Sequence, residues 1–279
     1  MTGGLFLVFY PWISDWLYDR AVESTVEVYK DEVSEVDEEE KQEILETARL
    51  YNEQLAAANV ALTDPFVNVH DGENDITYES ALSLDGFGLM CFVEIPKINV
   101  YLPVYHGTSD EILTKGAGHL EGSTLPIGGV DTHSVISAHT GINSSKMFSD
   151  LTEMRDGDLF FIHVLGDTLA YRVCSVEVIL PEETGGLVVE EGRDLVSLIT
   201  CTPYGVNTHR LVVTGERTEY TPQLQEEASS SPAVSSQWMK SYREAMVVGI
   251  LIVVIIAAIT WTVKRWHSRH CRHRRDYFG

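Results

Sequence analysis

The residues best suited to chemistry lie in the stretch 195–214, LVSLITCTPYGVNTHRLVVT. It reads as a strand ending near Cys201, a Pro/Gly turn, and a second strand beginning near His209, so the turn brings Cys201 and Arg210 to the ends of neighbouring strands. A thiol is a nucleophile chiefly as thiolate, a form that a nearby imidazolium or guanidinium favours. Arg210 adds a permanent charge and several N–H donors, suited to the oxyanion that forms when a thiolate attacks an amide carbonyl. His209 competes for the role of acid and base, but adjacent strand residues face opposite ways, and only one of His209 and Arg210 points at Cys201. A second imidazole, His139, sits where the apolar run in residues 134–143 (SVISAHTGIN) enters a Thr-Gly turn, the kind of strand end on which functional groups are often mounted. Taken alone, each of Cys201, His139 and Arg210 also fits an ordinary structural role.

The elements that must position these groups are short β-branched runs separated by turn signals. Strands are expected at 89–95, 99–105, 134–137, 159–164, 169–180, 195–200 and 209–214, with short helices near 110–114 and 146–154. Many short strands with few long helical windows suggest a closed or nearly closed β-barrel over residues 78–220. Before it, residues 21–62 are rich in Glu, Val, Leu and Ala without Gly or Pro, and apolar positions at Ile44, Ala48, Leu50, Tyr51 and Leu55 predict amphipathic helices with acidic outer faces. Residues 63–77 concentrate Pro, Asp, Asn and Gly and predict an exposed loop. After the barrel, residues 221–244 turn to Pro, Gln, Glu and Ser, the composition of a flexible linker.

Charge and hydropathy divide the chain further. Twenty Lys and Arg against 42 Asp and Glu give a net charge of −22, which repels a phosphate backbone and argues against nucleic acid as a partner. Residues 264–279 nevertheless carry +5, leaving −27 on the rest. This basic tail follows residues 245–263, an uncharged run that as a helix spans roughly 28 Å, the thickness of a bilayer core. The positive flank belongs on the cytoplasmic side, so the lipid bilayer is a partner and everything before residue 241 lies outside. The apolar segment within residues 1–20, LFLVFYPWI from Leu5, is too short to span; a second anchor, an incomplete export signal and a helix lying on the membrane all fit it.

Cysteine and histidine usage narrows the chemistry. Cys91, Cys174 and Cys201 fall outside the membrane, an odd number that leaves at least one unpaired. Cys91 and Cys174 sit in strand-like apolar settings and read as small buried hydrophobes. His70, His106, His119, His133 and His163 lack metal-ligand spacing. His267, His270 and His273 with Cys271 read as part of a lipid-attracted basic tail rather than a metal site. No metal or cofactor is expected, and Asn207 reads as a turn residue.

The run TCTPYGVNTHRL, with SAHTG about 60 residues upstream, resembles the signature of sortases, and its Cys-Thr-Pro-Tyr-Gly turn is most similar to the class C, pilus-assembling group of Gram-positive bacteria. VEIPKINVYLPVYHGT from Val93 and GHLEGSTLPIGG from Gly118 look like the early barrel strands and the following loop of that group, so the resemblance covers roughly residues 12–214. It implies an eight-stranded sortase barrel in which His139, Cys201 and Arg210 meet. It also implies cleavage of an LPXTG-like sorting signal through a thioacyl intermediate, resolved by a Lys of another pilin subunit, on the outer face of the cell. Asp64-Pro65-Phe66 is similar to the Asp-Pro-aromatic lid motif of class C sortases. By that analogy Asp64 pairs with Arg210 and Phe66 covers Cys201; an ordinary Asp-Pro turn is the alternative. Two other readings stand beside this one: a cell-wall-anchoring sortase of another class, and a non-catalytic receptor or adhesin.

Overall fold

The computed structural model describes residues 2–58, 62–66, 76–84, 88–140, 147–234 and 237–275, with side chains for all of these but 2–12, 14, 15, 57, 58, 76, 77, 237–239, 241, 242 and 267–275. Most of the expected 63–77 loop, including His70, and the start of the helix expected over 146–154 lie outside the described residues, as do the side chains of the histidines of the basic tail. Two units form, residues 1–234 and residues 235–279.

In the first unit, α1 (Thr2–Glu35), α2 (Glu38–Ala58) and α3 (Ile76–Ser80) precede eight strands. These are β1 (Leu89–Ile95), β2 (Val100–His106), β3 (Ala117–His119), β4 (Thr132–Ser137), β5 (Leu159–Val164), β6 (Asp167–Ile179), β7 (Asp194–Thr202) and β8 (His209–Thr218), with α4 (Asp110–Lys115) between β2 and β3. The strands close into a barrel in the order β1-β2-β3-β4-β7-β8-β6-β5. Every pairing is antiparallel except β2 with β3 and β4 with β7. Seven strands begin or end within three residues of the ends read from sequence. β3 is the exception, because three residues are too few to show an alternation.

Leu198, Val213, Phe160, Ile136 and Tyr171 fill the barrel interior, all essentially inaccessible to water. The N-terminal helices cover part of the outside. Tyr29 of α1 donates from its hydroxyl to the Met90 carbonyl at 3.1 Å, accepts from the Leu165 amide at 2.9 Å, and sets its ring edge-on to Phe92. Asn52 of α2 grips Leu125 from both sides, donating to its carbonyl and accepting from its amide. Ala48 and Tyr51 face inward as the periodicity predicts, but Leu50 is exposed, because two consecutive helical positions cannot share one narrow apolar stripe.

Two departures from the sequence reading have local causes. Cys174 is exposed rather than buried: it alternates with the inward-facing Leu169, Tyr171 and Val173 and so shares the outer face of β6 with the exposed Arg172. Within the stretch read as a flexible linker, Thr221 caps the Leu224 amide and a proline opens the first turn of α5 (Pro222–Ser230). Gln225 of that helix donates to Glu94 at 2.7 Å, and the Val234 amide donates to the Lys97 carbonyl. Residues 1–20 likewise do not end as a separate segment, since α1 runs through to Glu35. The second unit is the helix α6 (Gln237–Arg275), within which Arg243–Trp266, mean hydropathy 2.8, is long and apolar enough to cross a membrane.

Candidate active site

β7 sits between β8 and β4, and the two registers determine what flanks Cys201. On the β8 side, antiparallel pairing sets Cys201 directly opposite Arg210. On the β4 side, parallel pairing sets Ser137 opposite Ile199, and the Ala138 amide extends the ladder by donating to the Ile199 carbonyl at 3.1 Å. The next residue along, His139, therefore comes level with Cys201. Thr140 secures this arrangement, donating from Oγ1 to the Cys201 carbonyl at 2.9 Å, while Thr200 Oγ1 donates to the Ala138 carbonyl at 2.7 Å.

Alternation along the strands puts all three side chains on one face. Val196, Leu198, Ile136, Leu211 and Val213 point into the barrel. Their neighbours Ile199, Val135 and Val212 form a second cluster on the outside with Leu62, Leu120 and Leu187. Cys201, His139 and Arg210 share the parity of that outer cluster. His209, one residue off, is half exposed and makes a ring-nitrogen hydrogen bond with the Thr208 hydroxyl, so of the pair it is Arg210 that faces Cys201. The turn joining the strands needs a left-handed backbone at Gly205 (φ 74°) and at Asn207 (φ 59°), residue types that tolerate it. The carbonyls of Asn207 and His209 each accept from Arg210 Nη1 at 3.1 Å.

A short segment covers this face. Asp64 accepts two hydrogen bonds from Arg210, Nε to Oδ1 at 2.8 Å and Nη2 to Oδ2 at 2.6 Å, a buried bidentate pair. Phe66 packs on the outer cluster, with its ring centroid 5.9 Å from the His139 ring and 5.1 Å from the Arg210 guanidinium carbon. Leu62 is held from below, its carbonyl accepting from Thr184 Oγ1 at 2.7 Å. Pro65 lies between the two contact residues and is buried.

Burial raises the Cys201 thiol pKa; Arg210 pulls it down and Asp64 pushes it up. Burial lowers the His139 pKa, against a smaller raising effect of Asp110. Beneath the cover, then, both groups are mainly neutral at pH 7, and the cation that would favour a thiolate is engaged by a carboxylate. Thr140, Thr184 and the outer cluster were not singled out by the sequence. A Thr beside a His, or an Ile two residues before a Cys, carries no local signal of its role. Among the described residues no three His, Cys, Asp or Glu side chains converge as metal ligands.

Comparison with known proteins places this arrangement. The family model for the sortase domain matches residues 93–218. The crystal structure of sortase C-1 from Actinomyces oris is 44% identical and covers 64% of this chain and 99% of its own, with a TM-score of 0.61. A pilus-related sortase C of Group B Streptococcus is 38% identical and covers 69% of this chain and 96% of its own, with a TM-score of 0.63. Sortase A of Bacillus anthracis is 25% identical over 142 residues, and the match spans 66% of that relative's length. On this sequence and structural agreement, the chain belongs to the sortase family, in its class C branch.

Proposed function

We propose that the chain is a membrane-anchored cysteine transpeptidase of the cell surface that cleaves LPXTG-like sorting signals and joins pilin subunits through Lys isopeptide bonds. The reading rests on one observation above all: His139, just past the end of β4, comes level with Cys201 and Arg210 on the adjacent β7 and β8, on the same face. The similarity to a structure described as pilus-related supports the choice of substrate.

In this reaction, once the lid has moved, the Cys201 thiol gives its proton to His139, the thiolate attacks the carbonyl carbon of the Thr–Gly bond, and the guanidinium of Arg210 holds the oxyanion. The tetrahedral intermediate collapses by breaking the C–N bond. His139 gives a proton to the departing glycine amine, leaving a thioester between Cys201 and the Thr carbonyl. A Lys amine of a second subunit then attacks the thioester and loses a proton to His139. The C–S bond breaks, an amide forms between the two subunits, and the thiol returns. Arg210 cannot serve while Asp64 occupies it, nor can a peptide reach Cys201 past Phe66, so the segment at Asp64, Pro65 and Phe66 acts as a lid that must move first.

Mass spectrometry of the detergent-solubilised chain, lid residues Asp64 and Phe66 replaced by Ala, tests the reading directly. Incubation with an LPXTG peptide should add the acyl fragment to Cys201 and release the Gly-containing product, and Cys201→Ala should show neither. An unmodified Cys201 would overturn the transpeptidase reading in favour of a non-catalytic surface protein. Supplying either a pilin Lys peptide or a cell-wall peptide amine then identifies the acceptor, and preference for the latter would make the chain a wall-anchoring enzyme instead.

A further inference from the structure

The wall beneath the lid holds one polar group that the chemistry above leaves unused. Ser137 lies on β4 two residues before His139 and is fully buried, yet among the described residues its Oγ has no hydrogen-bond partner. Alternation determines its direction. Ile136 and Ala138 belong to the barrel interior and Val135 to the outer cluster, so Ser137 shares the outer face with Val135 and His139. Its register partner is Ile199, another member of the outer cluster, two residues before Cys201. Ser134, also buried and unpartnered among the described residues, has the parity of the interior and lies on the opposite face.

A hydroxyl taken from water and given no partner destabilises the state that buries it. The lidded form bears that cost at Ser137, and a ligand that satisfies the hydroxyl would remove it. The wall offers a peptide few other polar groups. β7 is hydrogen-bonded along both sides, to β4 and to β8. The far edge of β4 is taken by β3 and the chain after it, where the Leu120 amide donates to the Val135 carbonyl and the Val135 amide donates to Ser123 Oγ. With the main chain of the wall engaged, an extended peptide lying along it must be held by side chains. Val135, Ile199, Val212 and Leu120 provide only apolar contact. Ser137 stands where that apolar floor meets the reacting groups, two strand residues or roughly 7 Å from His139.

We propose that Ser137 is a positioning residue for the acyl donor: once Phe66 withdraws, its hydroxyl hydrogen-bonds the main chain of the sorting signal just before the scissile bond, where apolar residues give way to Thr. The proposal rests on the transpeptidase reading. It assigns Ser137 no part in moving protons or stabilising charge, only in holding the donor peptide at a fixed distance from Cys201. It also makes the same hydroxyl a small bias against lid closure, because the closed lid leaves it unsatisfied.

Ser137→Ala tests both halves. In the Asp64→Ala, Phe66→Ala background, KM for thioacylation by an LPXTG peptide should rise about five-fold, the size of one neutral hydrogen bond, with kcat changed less than two-fold. In the chain with its lid intact, the same substitution should raise the thermal midpoint by about 3 °C, since an unpartnered hydroxyl has been removed. A single cooperative thermal transition with the parent's amplitude reports that the variant is folded. An unchanged KM, or a lowered midpoint with kcat and KM impaired together, would show that Ser137 serves packing alone and would overturn the proposal. If the lid variant bearing Ser137 forms no thioacyl adduct, the transpeptidase reading itself fails and takes the proposal with it. The two failures are thus separated by which variant is silent.

Discussion

Two walls of the same barrel are covered in different ways. On the β1–β5 side, α1 lies over Phe92 and Leu89, and Tyr29 at the contact has both its donor and its acceptor used. The hydrogen bond there, between Glu94 and His163 at 2.8 Å, is joined by Gln225 from a second helix. On the β4–β7–β8 side, the cover is the segment 62–66, held among the described residues by a bidentate ion pair, a hydrogen bond at Leu62 and the Phe66 ring. A helix that buries a row of side chains contributes stability over its whole length. A segment fastened chiefly by one ion pair contributes little once the cost of dehydrating both charges is counted. The difference sets the helix-covered wall apart from the one on which we propose that a substrate replaces the cover.

Disturbing the helix-covered wall should cost stability without opening the site. Phe92→Ala removes a fully buried ring and should lower unfolding free energy by about 4 kcal/mol in chemical denaturation, while the alkylation rate of Cys201 in the native protein stays as it was. Faster alkylation would mean that the two walls are not independent. Disturbing the other wall should do the reverse. Arg210→Ala in the lid-less background should slow thioacylation by about 10²- to 10³-fold in single-turnover assays, the usual effect of losing an oxyanion donor.

A pH titration separates permanent burial from the exchangeable kind. Burial lowers the pKa of His119, fully enclosed beside Tyr78 and Thr124, to about 4 from its ordinary 6.5. The folded state therefore binds this proton only near pH 4, whereas the unfolded chain binds it from about pH 6.5. Stability is fully present above pH 6.5 and should fall by about 3 kcal/mol on the way to pH 4. His119→Gln should flatten that part of the stability curve; an unaltered curve would place the titration elsewhere.

Smaller effects sharpen the contrast at the lid itself. Asp64→Ala with Phe66→Ala should speed Cys201 alkylation about ten-fold at pH 7. The thiol loses its cover, Arg210 loses its competing carboxylate, and the thiolate fraction rises, so the pH–rate curve should move to lower pH. If the rate is no faster than in the parent, Asp64 and Phe66 do not guard the thiol. Gln225→Ala, which removes the hydrogen bonds of this side chain with Glu94 and with the Tyr220 hydroxyl, should cost about 1 to 2 kcal/mol and leave alkylation unaltered.

Much of the fold is legible in the sequence because strands and turns are encoded locally. Leu89–Ile95 and Leu159–Val164 are found with the ends their apolar runs predict. The hydropathy of residues 245–263 marks the apolar helix in the same way. Cys201 and Arg210 are also locally related, since the eight residues between them, with a Pro and a Gly, leave room for little but a hairpin. Motif resemblance adds His139 and the residues at 64–66, which composition alone leaves open.

Tertiary structure decided the rest. That His139 comes level with Cys201 depends on the parallel register of β4 and β7, strands separated by some 60 residues and brought together by an excursion through β5 and β6. Which face of those strands is outer, and therefore that Ser137 lies under the lid while Ser134 does not, depends on the barrel's closure. Periodicity says that alternate residues differ, never which set meets the core. The exposure of Cys174 likewise follows from which face of β6 the barrel turns outward. Local preference acts over a few residues, and burial and register are properties of contacts between distant ones.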